Sequence, residues 1–286
     1  AFLIAFAVFL SVGIPFVLFI YGFWISLVVP LFAFVISIIS SMGISFFIEE
    51  KQKRFIKTAF SQCLSKDVVN QIVNDPSSFT LGGKKYFMTA IFSDIKNFST
   101  LSEMLTAVEL GELLNFYLTQ MSEIIIAEHG TIDKYEGDSI VAMFGAPVEM
   151  SDHASRACRA AIKMKAAESK MNKKIKELAK SDRPSEINKD LFNAFKKMAQ
   201  SELFFFTRIG INSGEMTAGY FGSKNKKNYT MMGNNVNLAS RLEGANKQYR
   251  TGGILMSGQT VALLGKEFVF RSLDKVRVVN INTPVD

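Results

Sequence analysis

From Ala1 to Ile48 the chain carries no Asp, Glu, Lys or Arg. A soluble helix pair shows a polar face, and this run shows none. Its length suits two membrane spans of roughly 20 residues with a turn between them. The turn is expected at Tyr21-Gly22-Phe23-Trp24, because Tyr and Trp rings sit half wet at a membrane surface. Pro15 and Pro30 are tolerable in membrane helices, where neighbours satisfy the freed backbone groups. Next comes Glu49-Glu50-Lys51-Gln52-Lys53-Arg54, with Lys57 close behind. Basic residues flank spans on the cytosolic side, so a two-span hairpin puts Ala1 on that side too. The chain starts inside apolar sequence, without Met or the features of a cleaved leader, and reads as a fragment.

Residues 49–80 read as a helical connector. Phe55, Ile56, Ala59 and Phe60 recur at helical spacing, as do Val68, Val69, Ile72 and Val73, and Asn74-Asp75-Pro76-Ser77-Ser78 ends the pattern as a turn. In a dimer these segments are candidates for a short coiled coil.

A soluble domain is expected over 81–286. Phe87 to Ser93 is a near-continuous apolar run, the mark of a buried strand. A long helix starts with a capping box at Thr106 and Glu109 and stops at Gly130. Thr131–Tyr135 and Ser139–Phe144 form a hairpin through Glu136-Gly137-Asp138. A second long helix runs from Ser151 or Asp152 to about Leu178. The polar stretch Ala179–Gln200, containing Pro184, reads as a surface excursion with a helical part at Leu191–Met198. Strands at Phe205–Asn212 and Met216–Phe221 follow, then a basic loop at Gly222–Asn228, a strand at Tyr229–Met232 and a helix at Asn235–Ala245. Strands near Gly253–Met256, Phe268–Arg271 and Val276–Val279 complete the pattern. The order strand, helix, strand, strand, helix, strand is the ferredoxin-like split pattern of an α+β fold.

Composition removes several functions. Cys63 and Cys158 are far apart and form neither a disulfide framework nor a metal-binding pair. The net charge of +7 comes from scattered residues and no nucleic-acid module is present, so an anionic leaflet or a phosphorylated substrate explains it better. The phosphate loop G-x-x-x-x-G-K-[ST] and the motifs G-x-G-x-x-G, D-F-G, H-E-x-x-H and G-x-S-x-G are all missing. Only His129 and His153 are available for imidazole chemistry.

What remains is a pair of acids. Asp94 ends the first strand and Asp138 sits in the hairpin link, and a split fold lays these elements side by side. Two adjacent carboxylates repel unless a cation lies between them, and hard oxygen ligands suit Mg²⁺ that also holds phosphate. Taken singly, each Asp reads as a turn residue or cap.

Four segments together resemble class III adenylate and guanylate cyclases. Phe92-Ser93-Asp94-Ile95-Lys96-Asn97-Phe98-Ser99 is similar to the family's F-x-D-I-x-x-F-[ST], and Lys134 to Ser139 with Ala142 to Gly145 resembles its second metal motif. Arg208 to Gly214 resembles R-[IV]-G-I-x-[ST]-G, and Tyr229 to Glu243 resembles Y-T-x-x-G-[DN]-x-V-N-x-A-S-R-[LM]. The likeness runs from about Leu81 to the end. The two apolar segments and the connector also resemble cyclases with an extracytoplasmic CHASE-type sensor, which would lie before Ala1.

The resemblance implies two Mg²⁺ or Mn²⁺ per site on Asp94, Asp138 and the Ile95 carbonyl, activating a ribose 3′-hydroxyl and holding phosphates. It makes Arg208 a phosphate contact, Asn237 a ribose contact and Arg241 the residue that stabilises the charged phosphorus. Amides from Asn97 through Phe98 to Ser99 open a helix toward phosphate oxygens. Asn237 and Arg241, four apart, share a helix face. Lys134 and Thr230 would read the base: lysine donates to adenine N1, and the threonine oxygen accepts from the 6-amino group. Guanine presents the opposite pattern, and in the family guanylate cyclases carry an acid where Lys134 stands. The resemblance therefore implies ATP as substrate, sites shared across a homodimer, and a cytosolic catalytic domain in a membrane protein.

Alternatives stay open: a guanylate cyclase, or a domain of the same fold that only transmits dimer state. Singly, Arg241 reads as a partner for Glu243, Asn237 as a polar helix residue, Arg208 as an edge residue and Lys134 as a solvated lysine. The family's C-terminal phosphate lysine is missing from Val276-Arg277-Val278-Val279; Arg277, Lys275 or the loop at Lys224-Asn225-Lys226-Lys227 could stand in, or that loop is a solvated hairpin.

Overall fold

A computed structural model describes residues 13, 16–22, 28–60, 83–182, 187–223, 227–249 and 251–274. The chain divides into two compact units, Ala1–Ala59 and Phe60–Asp286. In the first, Tyr21 and Gly22 form a turn after helical residues 16–20. Helix α1 (Val28–Phe60) then runs unbroken through position 48, so the expected border between apolar segment and connector is not a change of secondary structure. Phe32, Ile36, Ile39, Met42, Phe46 and Phe47 are all exposed on it. Among the described residues, no helix is long and apolar enough to cross a membrane. The hairpin of two spans therefore rests on the sequence alone. The expected turn at Asn74–Ser78 and the second half of the connector lie outside the described residues.

The second unit is an antiparallel sheet with helices over it. Its elements are β1 (Lys84–Ile95), α2 (Phe98–Met104), α3 (Ala107–Ala127), β2 (Thr131–Glu136), β3 (Ser139–Phe144), α4 (His153–Leu178), α5 (Lys189–Gln200), β4 (Thr207–Gly222), β5 (Lys227–Met232), α6 (Asn234–Ala245), β6 (Ile254–Met256) and α7 (Gly258–Val261). The strands run in the order β2-β3-β1-β4-β5, with β6 parallel to the first part of β4. The first four strands and two long helices follow the split pattern.

β1 and β3 read as unbroken apolar runs because both faces of the sheet are covered. Ile91, Ile140, Ala142, Phe144, Ile209 and Ile211 face the larger core with α3, α4 and α5. Met88, Ala90, Val141, Met143 and Met216 alternate with them and face a smaller core closed by Val236 and Ala239 of α6. α3 starts with the expected capping box, Thr106 and Glu109 satisfying each other's backbone N–H groups. At its exit His129, not Gly130, takes the left-handed conformation (φ 62°). Gly130 is needed for space: a Cβ there would lie 2.7 Å from Ile125 and Phe144 side-chain atoms.

Three expectations need correction. Phe205–Asn212 and Met216–Phe221 are one strand, β4, because Ser213-Gly214-Glu215 stay paired with β1 instead of turning. Phe268–Arg271 is not a strand. The stretch Ala179–Gln200 is more than a surface excursion, because α5 buries Phe192 and sends Ala194, Phe195 and Met198 into the larger core. Phe195 meets Phe116 edge to face at 5.4 Å, and Lys197 reaches Glu109 at 2.6 Å. The apolar positions repeat at helical spacing but are diluted by lysines, of which Lys196 lies 4.8 Å over the Phe192 ring.

α6 lies close on β4 because Gly210 has no side chain. A Cβ there would fall 2.2 Å from the Ala239 carbonyl oxygen and the Glu243 nitrogen, which are backbone atoms that cannot swing aside. Asn246 and Asn212 secure the helix, their Nδ2 groups donating to the Ile209 and Asn235 carbonyls at 3.0 and 2.8 Å. Gly210→Ala should therefore cost about 1–3 kcal/mol by overpacking, read as a lower urea midpoint at unchanged slope.

His153 is buried beside β1, its Nδ1 2.7 Å from the Thr89 hydroxyl, which also meets Ser213 at 2.7 Å. Burial lowers its pKa from the ordinary 6.5, with Asp152 opposing. The unfolded chain then takes up a proton first as pH falls, so stability is level above that value and drops below it. His153→Gln should flatten this limb in denaturation series between pH 7.5 and 5.

Candidate active site

Asp94 and Asp138 meet because of strand register. Gly137 (φ 65°) opens the two-residue turn between β2 and β3, where Glu136 pairs with Ser139. β3 runs beside β1 with Ile140 opposite Ser93, so the turn arrives at the end of β1. There the Ser139 hydroxyl donates to Asp94 Oδ1 at 3.1 Å, and the Ile95 N–H donates to Asp138 Oδ2 at 2.9 Å. Burial, and then the neighbouring Asp94 carboxyl, push Asp138 up to about 6.

On the other side of β1, Arg208 sits directly opposite Asp94 and donates from its guanidinium to Asp94 Oδ2. Its Nε also lies 2.9 Å from Glu243 Oε1 on α6. That contact is one of charge: neither atom is aligned for a hydrogen bond, and both are buried without one. Burial holds the Glu243 pKa up, with Arg208 pulling it down. One guanidinium thus answers carboxylates from two elements.

These residues fit a divalent cation. The donors are hard oxygens, and burial together with the neighbouring Asp94 favours the neutral form of Asp138, a penalty that a bound cation would reverse. Among the described residues, no group of three or more His, Cys, Asp or Glu side chains gathers to hold an ion. Two protein carboxylates with the remaining positions left to water and phosphate is the habit of Mg²⁺. Near this corner Asn97 takes the left-handed conformation (φ 61°) before α2; Phe98 packs half-buried on the larger core and Ser99 is exposed.

The sheet's two edges form a second cluster. β2 and β5 stand at opposite ends of the strand order, yet the Thr230 hydroxyl donates to Asp133 Oδ2 at 2.7 Å. The sheet curls far enough for its edges to touch. β2 carries a bulge between Ile132 and Lys134, which leaves Asp133 as the extra residue. Lys134 is half exposed, 3.4 Å from Glu136. Asp133 was not among the expected residues. Strict alternation sends it to the face opposite Lys134, and no residue type announces the bulge. Thr230, expected as an acceptor alone, is here also a donor.

On α6, Asn237 is exposed and Arg241 partly so. Glu243 is engaged by Arg208, and among the described residues no acid pairs with Arg241. Lys224, Lys226, Lys275 and Arg277 lie outside the described residues. The structure thus gathers Asp94, Ile95, Asp138 and Arg208 at one corner, Lys134 and Thr230 where the edges meet, and Asn237 and Arg241 along α6.

The profile of the adenylate and guanylate cyclase catalytic domain matches residues 84–283. Adenylate cyclase 1 of Rhizobium meliloti is 36% identical over 199 residues, covering 70% of this chain and 26% of that protein. The adenylate cyclase of Anabaena cylindrica is 32% identical over 190 residues, covering 66% and 33%. The chain therefore spans about a quarter to a third of these relatives' lengths. Among solved structures, the adenylyl cyclase CyaB from P. aeruginosa superposes with a TM-score of 0.59 at 33% identity, over 72% of this chain and 93% of that one. The guanylyl cyclase Cya2 gives 0.58 at 29%, over 71% and 91%. Sheet order, the acid pair at the end of β1 and a profile match across most of the chain agree: residues 84–283 are a catalytic domain of the adenylate and guanylate cyclase family, and the chain belongs to it.

Proposed function

We propose that this chain is an adenylate cyclase that converts ATP to cyclic AMP and pyrophosphate in sites shared by two copies of itself. The observation that carries the reading is the Asp94–Asp138 pair, two carboxyls that the strand register brings to the same end of β1, Asp138 accepting from the Ile95 N–H and Asp94 from the Ser139 hydroxyl. Asp94, Asp138 and the Ile95 carbonyl would hold two Mg²⁺ or Mn²⁺, which when bound supply Lewis acidity toward the 3′-hydroxyl and charge for the phosphates.

The chain's own groups account for the rest. In the reaction the 3′-oxygen loses its proton and bonds to the α-phosphorus, and the bond to the pyrophosphate oxygen breaks. Charge grows on the phosphoryl oxygens, and Arg241, with a planar, permanently charged head and no acid paired to it among the described residues, suits that charge. Asn237, one turn earlier on the same face, is placed to orient the ribose. Arg208 suits the phosphates, with the amides of Phe98 and Ser99 as further donors. Lys134 and Thr230 supply the adenine contacts.

Asp94, Asp138 and Arg208 of one copy would work with Lys134, Thr230, Asn237 and Arg241 of the second. The charge-free run Ala1–Ile48 and its basic flank support an anchor in the membrane, with the catalytic unit on the cytosolic side. An extracytoplasmic sensor before it would complete the arrangement.

Asp94→Ala and Asp138→Ala should each abolish Mg²⁺-dependent cyclic AMP formation by the purified chain while it stays folded, as read by circular dichroism. Full activity in either sinks the metal assignment. Arg241→Ala should lose about 10²–10³ in kcat, the usual worth of one oxyanion donor. GTP run beside ATP separates the guanylate alternative.

The shared site has its own test. Asp94→Ala and Arg241→Ala, each inactive alone, should regain activity when co-expressed. Random pairing makes half the dimers mixed with one intact site of two, so recovery is about a quarter of wild type. No recovery means each copy builds its site alone.

A further inference from the structure

We infer that Asp133 is a positioning residue for base selection: it takes the Thr230 hydroxyl proton and so leaves the threonine oxygen facing the base as an acceptor only. The inference rests on the adenylate reading above and adds a residue to it.

A threonine hydroxyl is ambivalent. It carries one hydrogen and two lone pairs, and it rotates to suit whatever it meets. Left free, Thr230 would accept from the 6-amino group of adenine or donate to the 6-oxygen of guanine with similar ease, and it would discriminate poorly. In this structure the hydrogen is already assigned. Thr230 Oγ1 lies 2.7 Å from Asp133 Oδ2, and an ionised carboxylate only accepts. The Met231 N–H points at the same oxygen from 3.4 Å, which holds the carboxylate in that orientation. The other oxygen, Oδ1, is buried without a hydrogen-bond partner among the described residues. Together these atoms offer acceptors, and the hydrogen on Thr230 is turned away from the base. Lys134, the next residue, offers donors only. A cluster with that polarity matches the N1 acceptor and amino donor of adenine and leaves the oxygen of guanine facing an oxygen.

The backbone is arranged for this contact. Asp133 is the extra residue of the β2 bulge, the device that turns a side chain out of strict alternation. The arrangement also has a cost, since burial pushes the Asp133 carboxyl upward and one oxygen has no partner. A residue kept only for stability would not be buried in this way, because removing an unsatisfied polar group from an interior tends to stabilise.

The test measures base preference by binding, apart from turnover. Dissociation constants for 3′-deoxy-ATP and 3′-deoxy-GTP, which lack the attacking hydroxyl, are compared on the full chain in detergent. The wild type should prefer the adenine nucleotide, and Asp133→Ala should lower that preference by about tenfold, the scale of one hydrogen bond misplaced. Thr230→Val should lose as much, and the double variant no more than either. Asp133→Asn keeps an oxygen toward Thr230, held there by the Met231 N–H, and should stay near wild type. If Asp133 is only structural, Asp133→Ala weakens both nucleotides alike and the ratio stands, which overturns the inference while the adenylate reading survives. A wild type that prefers the guanine nucleotide overturns both.

Discussion

β1 is paired along its whole length with β4 and over its second half with β3, and this double pairing positions what surrounds it. Because the ladder to β4 is in register to the last residue, Asp94 falls opposite Arg208. Because β3 is in register on the other side, the Asp138 turn arrives beside Asp94. A slip of one residue would turn every side chain of β1 to the wrong face. Both faces are buried, so such a slip would move Ile91 out of the larger core into the smaller one and take Asp94 away from Arg208. The hydrophobic cores therefore do more than stabilise the domain: they hold two carboxyls within reach of one another against their repulsion.

The same ladder sets α6. Gly210 lies two residues beyond Arg208 on β4, on the face where the helix approaches, and its missing side chain brings the backbone of Ala239 and Glu243 against the strand. That closeness lets Glu243 reach Arg208, and it gives Asn237 and Arg241, earlier on the same helix, a fixed support. A loop would carry the same side chains with less precision. The arginine expected on the phosphates is thus held between two acids, and the arginine expected at the reacting phosphorus has none among the described residues.

Much of this was legible in the sequence, for reasons that differ by element. Periodicity found the long helices and the hairpin, because a buried face running the length of a 26-residue helix such as α4 leaves a strong pattern. The acids at strand and turn ends were legible because the split pattern dictates which ends meet. The break between Asn212 and Met216 was misread, since Ser-Gly-Glu has turn chemistry and only the pairing with β1 keeps it extended. α5 was undervalued because its four buried residues are spread among lysines. Asp133 was missed because a bulge is a property of two strands, and one strand's sequence does not record it.

The identity of residues in a base pocket does not by itself fix what the pocket accepts. A lysine ammonium is all donors and a carboxylate all acceptors, so each has one polarity wherever its proton sits. Threonine has none until a neighbour claims its hydrogen. At 2.7 Å from a carboxylate held by its own backbone contact, the Thr230 hydroxyl behaves as an acceptor toward anything on its free side. Specificity of this kind lives in the placement of one proton, and that placement depends on β2 and β5 meeting. On the proposed reading, the curl of the sheet and the bulge at Asp133 would therefore be as much a part of base selection as Lys134 or Thr230.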